Sequence, residues 1–409
     1  MNLLVFVLTF LLFIGPVIMA VMGWPLYGFV EKSKVLYLYP SFYILTVVTF
    51  YFYFQKRLTD KKFKFAILII LVTFSWYFVD KILAREGNMN VLFHSMALPA
   101  MYYILYESLD NNHNYKKQVR AIILFMFTFN AIMAIYERLT MTLYYPYDLI
   151  RLGFDYALEE DMVFRSSALL GHPLTNALIM ASIMAFILTS NIKDIMKYFL
   201  FLIGFFSLFC FNARAAIAIS ALTFLLYTIR PIFQKKASWS KRFFSFVLLI
   251  SFAIVGFYLF KAGFGGRFEE RGELSEDGSA LARIEVFSII SEYGISNFLW
   301  GMPYKDVENI ALAVLGMTHI ENWFILSTMI VGLVITTIVV ILFIPVYWHA
   351  VQPYDRYTSF LIFISTIVLA STNNSLATGI PALSIFFACC YAFSPDVTEK
   401  EVAIEPVNL

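Results

Sequence analysis

The chain has 409 residues, of which 60% are hydrophobic, 18% aromatic and only 14% charged, and its mean hydropathy is +0.76. Soluble domains are about 45–50% apolar and about 25% charged, so this composition indicates a polytopic membrane protein. The net charge of +2, without basic runs interleaved with aromatic residues, argues against a nucleic-acid partner.

Long apolar runs predict the fold class. A membrane-crossing helix needs about 20 mostly apolar residues. Runs of roughly that length predict an all-α polytopic protein with about twelve transmembrane helices, at residues 3–23, 35–54, 65–82, 90–106, 120–137, 168–190, 196–212, 213–231, 243–262, 321–348, 357–372 and 376–394. The first run lacks a basic region and a small-residue cleavage site, which favours a crossing helix over a signal peptide. Residues 1–394 then form a single membrane domain, and residues 395–409 a polar cytoplasmic tail.

Positively charged loops predict the orientation, because such loops stay on the cytoplasmic side. Half of the 30 Lys and Arg residues lie in four loops, at residues 55–64, 111–120, 191–197 and 230–242. Successive helices cross the membrane in opposite directions, so all four basic loops lie on the cytoplasmic side if both termini are cytoplasmic. Two long polar interruptions, at about residues 138–167 and 263–319, then become external loops, and the second carries a predicted surface helix.

Among the arginines of this predicted external side, three are candidates for function: Arg165, Arg214 and Arg283. The planar guanidinium binds phosphate oxygens bidentately and stays charged at any working pH. Placing an ionisable residue within the membrane costs free energy, so such a residue is first considered as a functional candidate. The alternatives are that Arg165 and Arg214 snorkel to the membrane surface, and that Arg283 lies on a solvated helix face.

A polar cluster stands at the start of a long apolar run in "GMTHIENWFILSTMIVGL", residues 316–333. Its polar side chains could cap the helix. They could also face a reaction, with His319 as a base that titrates near neutral pH. Glu321 is the alternative base if burial raises its pKa. We favour His319, because imidazole needs no such tuning.

Metal and nucleotide chemistry is not predicted. The sequence has no G-x-x-x-x-G-K-[ST] phosphate loop and no H-E-x-x-H zinc motif. The three cysteines all lie in apolar runs, so no disulfide is expected to hold an external loop. We therefore expect no metal and no cofactor.

Four stretches, taken in order, resemble the O-antigen ligase and polysaccharide polymerase superfamily of bacterial membrane glycosyltransferases. They are "RSSALLGHPLTNA", "FNARAAIAISALTFLL", "GSALARIEVFSIISEYGISNFLWGMP" and "HIENWFILSTMIVGLV". The resemblance covers roughly residues 160–335. Ligases of the family usually carry His directly before the Asn of the last stretch. Here Glu321 precedes Asn322 and His319 lies three residues before it, which favours a polymerase.

The resemblance implies a GT-C-like fold and a glycan donor on undecaprenyl pyrophosphate. It implies that Arg165, Arg214 and Arg283 hold the pyrophosphate while a sugar hydroxyl, oriented by Asn322, attacks the anomeric carbon with inversion. The activity would polymerise O-antigen or capsular repeat units at the external face of the bacterial inner membrane, beside flippase and chain-length regulator proteins. The alternatives are an O-antigen ligase that uses lipid A core as acceptor, and a transporter of lipid-linked glycans. A transporter usually distributes its charges near the midplane of the membrane.

Overall fold

A computed structural model of the protein describes residues 2–26, 37–56, 61–82, 92–109, 112–144, 164–234, 238–259, 261, 286–292, 294–316, 320–372, 376 and 381–395. Within these ranges every regular element is helical and no strand occurs. The predicted all-α class is therefore confirmed for the described part of the chain.

The first part of the chain forms helices up to the polar segment that follows residue 140. They are α1 (Asn2–Leu11), α2 (Pro16–Val21), α3 (Pro40–Phe54), α4 (Lys61–Ile82), α5 (Leu98–Ser108, preceded directly by the π-helical turn Phe93–Ala97) and α6 (His113–Thr140). Proline at the first helical position starts α2 and α3, where its missing N–H costs nothing. The side chain of Asn112 caps α6 by accepting from Asn114 N.

The remainder of the described chain is also helical. It contains α7 (Pro173–Thr189), α8 (Asp194–Cys210), α9 (Arg214–Phe233), α10 (Trp239–Leu259), α11 (Ile289–Glu292, preceded by the 3-10 turn Val286–Ser288), α12 (Ile295–Trp300), α13 (Tyr304–Leu315), α14 (Trp323–Val331), α15 (Leu333–Val351), α16 (Arg356–Phe363, continued by the π-helical turn Ile364–Val368) and α17 (Ala382–Phe393).

Five stretches are helical, long and apolar enough to cross a membrane: Lys61–Ile82, His113–Thr140, Arg214–Phe233, Arg242–Leu259 and Leu333–Val351. Shorter apolar helices lie at the other predicted segments, so a helix occupies each of the twelve apolar runs. The helical positions agree with the sequence prediction, and the lengths agree with a membrane protein. The number of crossings stays a prediction.

Helix α7 lies deep inside the bundle, and every residue from 175 to 188 is buried. A helix that is apolar all round belongs in the interior, and α7 packs against α8, α9 and α17. Helix α10 is at the other extreme, since most of its apolar side chains are exposed on the outside of the bundle.

Charged residues from two of the basic loops lie together at one end of the bundle, where Asp194 and Arg230 line the same cleft. Arg214 begins α9 and Arg230 lies near its end, about 24 Å further along the axis at about 1.5 Å per residue. At the Arg230 end, Arg230 Nη1 lies 3.6 Å from Asp355 Oδ1, and Arg120 Nε donates to Ala392 O at 2.9 Å. We call this the basic end and the other, which carries Arg214, the cleft end.

One predicted helix is interrupted. The apolar run 321–348 predicts a continuous helix, but Gly332 (φ +87°) separates α14 from α15. The large polar segment inserts backbone at this break, because Met302 N donates to Met329 O at 3.0 Å. The inserted turn includes Gly301 (φ +78°), and a Cβ on Gly301 or Gly332 would overlap backbone atoms of the opposite turn. This pairing satisfies backbone groups that a broken helix leaves open.

We expect Gly332→Ala to lower the free energy of unfolding by about 1–3 kcal/mol or more, because alanine adds left-handed strain to a backbone overlap. The thermal unfolding midpoint in a fixed detergent measures this effect. Gly256→Ala in α10 is the matched control, since a Cβ there meets nothing within 4 Å. Alanine is about 1 kcal/mol better than glycine inside a helix, so the control should be at least as stable as the parent. Equal midpoints for the two variants would contradict the close backbone packing.

Candidate functional site

A cleft opens at the cleft end of the bundle, enclosing about 430 Å³ of space that is partly open to the surroundings. Its walls come from the segment before α7, from the turn between α8 and α9, from the start of α14 and from the end of α16. The lining residues are Arg165, Leu174, Ala177, Asn212, Ala213, Arg214, Ala215, Ala216, Glu321, Leu369 and Thr372. Two predicted phosphate-binding arginines and one predicted base therefore share a single cleft.

Arg165 is held by the turn that follows α8. Its Nε donates to Phe211 O at 3.1 Å, and the neighbouring Ser166 N donates to Cys210 O at 3.0 Å. The non-helical segment before α7 thus lies against the C-terminal end of α8, where helix carbonyls need donors. The sequence predicts helix from residue 168, but helix α7 begins at Pro173.

Three polar side chains of α6 hold this non-helical segment. The Glu137 carboxylate accepts from Ser167 N at 2.8 Å and from Ala168 N at 3.0 Å, and Asn130 Oδ1 accepts from Leu169 N at 3.0 Å. Arg138 Nη1 donates to Phe164 O at 2.9 Å. Buried backbone N–H groups need such partners wherever the chain leaves a helix. This network fixes the backbone that carries Arg165.

This network was not predicted from the sequence. The sequence feature that could have indicated it is the spacing of Asn130 and Glu137. These polar residues are seven apart in a long apolar run, so both lie on one face of a helix. Asn176 adds a further contact, because its Nδ2 donates to Ser167 O and to His172 O. His172 itself precedes α7 as its N-cap residue, at the bend predicted around Gly171 and Pro173.

The first turn of α9 presents N–H groups to the cleft. The N-cap residue is Ala213, which has no side chain able to cap the helix. Within the described chain, the N–H groups of Ala215 and Ala216 donate to no protein acceptor. Free N–H groups at a helix N-terminus attract anions, and here the half-buried Arg214 adds a full positive charge beside them.

Asn212 forms the turn between α8 and α9 with φ of +52°. Asparagine tolerates this left-handed conformation better than other residues with a Cβ, although it still costs energy. Its side chain is 4% exposed and lines the cleft, and among the described residues its Oδ1 accepts no hydrogen bond. The amide therefore has an unused polar atom next to Arg214.

Glu321 lines the cleft directly before the start of α14, and it is half-buried. The next residue, Asn322, is the N-cap of α14, and its Oδ1 accepts from Phe324 N at 3.1 Å and from Ile325 N at 3.0 Å. Both interpretations of this polar turn therefore apply, to different residues. Asn322 caps the helix, and Glu321 faces the cleft.

Two predicted site residues, His319 and Arg283, lie outside the described residues. Within the described ranges, no group of three or more His, Cys, Asp or Glu side chains is arranged to hold a metal ion. The chemistry available in the cleft comes from two guanidinium groups, a helix N-terminus, an amide and a carboxylate. This set suits an anionic group beside a polar group that loses a proton.

No protein-family model matches this chain, and no curated protein matches it either.

Proposed function

We propose that the protein is a metal-independent inverting glycosyltransferase that polymerises O-antigen or capsular repeat units. Its donor is an oligosaccharide on undecaprenyl pyrophosphate, and its acceptor is a sugar hydroxyl of the growing lipid-linked glycan. The observation that carries this proposal is the shared cleft, in which Arg165, Arg214 and the uncapped start of α9 lie with Glu321. The two arginines and the helix start can stabilise a pyrophosphate leaving group, and Glu321 can act as the base that an attacking hydroxyl needs.

In the proposed reaction, the acceptor oxygen forms a bond to the anomeric carbon from the face opposite the pyrophosphate. The bond between that carbon and the pyrophosphate oxygen breaks, and its electron pair leaves with undecaprenyl pyrophosphate. Arg165, Arg214 and the N–H groups of Ala215 and Ala216 stabilise the negative charge that develops on the leaving oxygens. The hydroxyl proton passes to the base.

Two residues compete for the role of base. Glu321 is supported by its position in the cleft beside the arginines. His319 remains the residue that the sequence favours, two positions earlier in the chain. Arg283 stays a third proposed pyrophosphate contact, carried by the resemblance alone. Asn322 uses its Oδ1 to cap α14, so a role in orienting the acceptor falls to its remaining Nδ2 group.

The ligase alternative shares this mechanism and differs in its acceptor, which would be lipid A core. The transporter alternative is disfavoured by the distribution of the charges, because Arg165, Arg214 and Glu321 lie together at one end of the bundle. The proposed architecture is a GT-C-like protein of twelve crossings in the bacterial inner membrane, with the cleft at the external face.

We expect a cysteine at Ser279 to react with an impermeant maleimide in cells whose outer membrane has been permeabilised. A cysteine at Ser238, in the basic loop before α10, should react only after the inner membrane is broken. The physical reason is that basic loops stay cytoplasmic. The reverse pattern would place the cleft in the cytoplasm and remove the proposed external reaction.

The decisive experiment uses the purified protein with a defined lipid-linked repeat unit and a chelator of divalent cations. Chain elongation with release of undecaprenyl pyrophosphate is the expected result. Transfer to added lipid A core without elongation would assign the ligase activity instead. Movement of the intact donor across a liposome bilayer, without transfer in either assay, would overturn the enzyme proposal in favour of the transporter.

A further inference from the structure

A second cleft lies at the basic end of the bundle and encloses about 880 Å³ of space that is partly open to the surroundings. It lies between the start of α8, the end of α9, the start of α10 and the start of α16. The lining residues are Thr189, Asp194, Tyr198, Tyr227, Thr228, Arg230, Pro231, Gln234, Phe244, Ser245, Tyr357 and Thr358. None of them belongs to the cleft that contains Arg214.

The cation of this second cleft is Arg230, whose side chain is 43% exposed. Its guanidinium stacks over the ring of Tyr357 with 4.5 Å between the guanidinium carbon and the ring centroid, and lies 3.6 Å from Asp355 Oδ1. In the described part of the chain, Arg230 donates no hydrogen bond to a protein acceptor. Its planar set of N–H groups is held in place by stacking and is open to a ligand.

The nearby carboxylate of Asp355 directs its hydrogen bonds to the start of α16 rather than to Arg230. Asp355 caps α16 by accepting from Tyr357 N at 3.0 Å, from Thr358 N at 3.3 Å and from Thr358 Oγ1 at 2.6 Å. Burial acts to raise the pKa of Asp355, but the hydrogen bonds from Thr358 and the charge of Arg230 outweigh it and lower the pKa. Asp355 therefore stays ionised and positions the guanidinium, while its oxygens serve the helix start.

Two hydroxyl groups and a second carboxylate complete the polar lining. Within the described ranges, the hydroxyls of Tyr198 and Tyr227 make no hydrogen bond to protein. Asp194 is 71% exposed and lies 3.4 Å from Lys197 Nζ. The ring of Tyr198 meets the ring of Phe244 edge to face, with 5.8 Å between centroids. Hydroxyl groups and a guanidinium suit a phosphate, whereas a carboxylate beside aromatic rings suits an ammonium group.

The wall formed by α10 indicates that such a ligand is part of a membrane lipid. Phe243, Phe246, Val247 and Ile250 are exposed on this helix, which is one of the five long enough to cross a membrane. Trp239 at its start is also exposed, and tryptophan is enriched at the level of the lipid headgroups. A polar cleft that opens beside an apolar helix face accommodates a headgroup with its acyl chains alongside the helix.

We propose that this cleft binds the headgroup of a zwitterionic phospholipid with an ethanolamine group. The phosphate contacts Arg230 and the hydroxyls of Tyr198 and Tyr227. The ammonium group lies between Asp194 and the aromatic rings. This site is independent of glycan transfer, because its residues lie at the opposite end of α9 from Arg214.

The test is native mass spectrometry of the delipidated protein, titrated separately with phosphatidylethanolamine, phosphatidylcholine and phosphatidylglycerol. We expect tightest binding of phosphatidylethanolamine, and about a tenfold or greater loss of its affinity in Arg230→Gln, which removes the charge-assisted contact. Tyr227→Phe should lower affinity by a smaller factor. Asp194→Asn should bring phosphatidylethanolamine down to the affinity of phosphatidylglycerol, because the ammonium loses its partner.

Arg356→Gln is the matched control, since Arg356 is an exposed arginine at the same end that does not line the cleft. It should bind phosphatidylethanolamine as the parent does. Equal affinity for the three lipids, or an unchanged affinity in Arg230→Gln, would overturn the proposal. Binding of water-soluble glycerophosphoethanolamine as tightly as the lipid would also overturn it, because the site would then recognise a soluble ligand.

Discussion

Arg214→Lys is expected to abolish most polymer formation, although lysine keeps the positive charge. Arg214 begins α9 and lines the cleft beside the N–H groups of Ala215 and Ala216, which donate to no protein acceptor in the described part of the chain. A guanidinium contacts two phosphate oxygens at once, whereas an ammonium is a point charge without this fork. Loss of the contact should cost about 2–4 kcal/mol of transition-state stabilisation, which is a roughly 30- to 1,000-fold fall in kcat/KM. Arg214→Ala should be at least as impaired.

The measurement is the initial rate of elongation by purified protein, together with the thermal unfolding midpoint of each variant. Unchanged midpoints would separate a lost contact from a lost fold. Lys305→Ala is the matched control, because Lys305 is an exposed cation of α13 that does not line the cleft. It should elongate at the parent rate. Full activity of Arg214→Lys would reduce Arg214 to a residue that anchors α9 at the membrane surface.

Glu321→Gln is expected to lower the elongation rate by about 10²–10⁴-fold, the usual effect of losing a general base. Glutamine keeps the size of the side chain and its ability to hydrogen-bond, so the change removes the negative charge and the proton acceptor. The expectation rests on the position of Glu321 in the cleft that contains Arg165 and Arg214. Initial rates across pH 5.5 to 8.5 provide the measurement.

The same series tests His319. If imidazole is the base, protonation below its ordinary pKa of about 6.5 removes activity, so the parent shows an acid limb in this range. His319→Ala would then lose that limb along with most of the rate, while Glu321→Gln would keep the shape of the profile. Asp306→Asn is the control for loss of an exposed carboxylate, in the first turn of α13. Near-parent rates for both Glu321→Gln and His319→Ala would show that neither residue is an essential base, and that departure of the leaving group drives the reaction.

Composition and hydrophobic spacing were sufficient to place a helix in each long apolar run. The predicted runs 196–212 and 213–231 correspond to α8 and α9, and the turn between them lies at Asn212 as expected. The reason is that backbone N–H and C=O groups in an apolar environment must pair within their own segment. The same local information identified Arg165, Arg214 and Glu321 as candidates, because polar residues next to apolar runs are conspicuous.

Only the tertiary structure decided which of these residues meet, and how the chain is held where it is not helical. Arg165 depends on a segment whose N–H groups bond to Asn130 and Glu137 of α6, 30 to 39 residues earlier in the chain. The break at Gly332 depends on backbone inserted from Gly301. Both arrangements satisfy buried polar groups through partners distant in sequence, and local propensity carries no information about such partners.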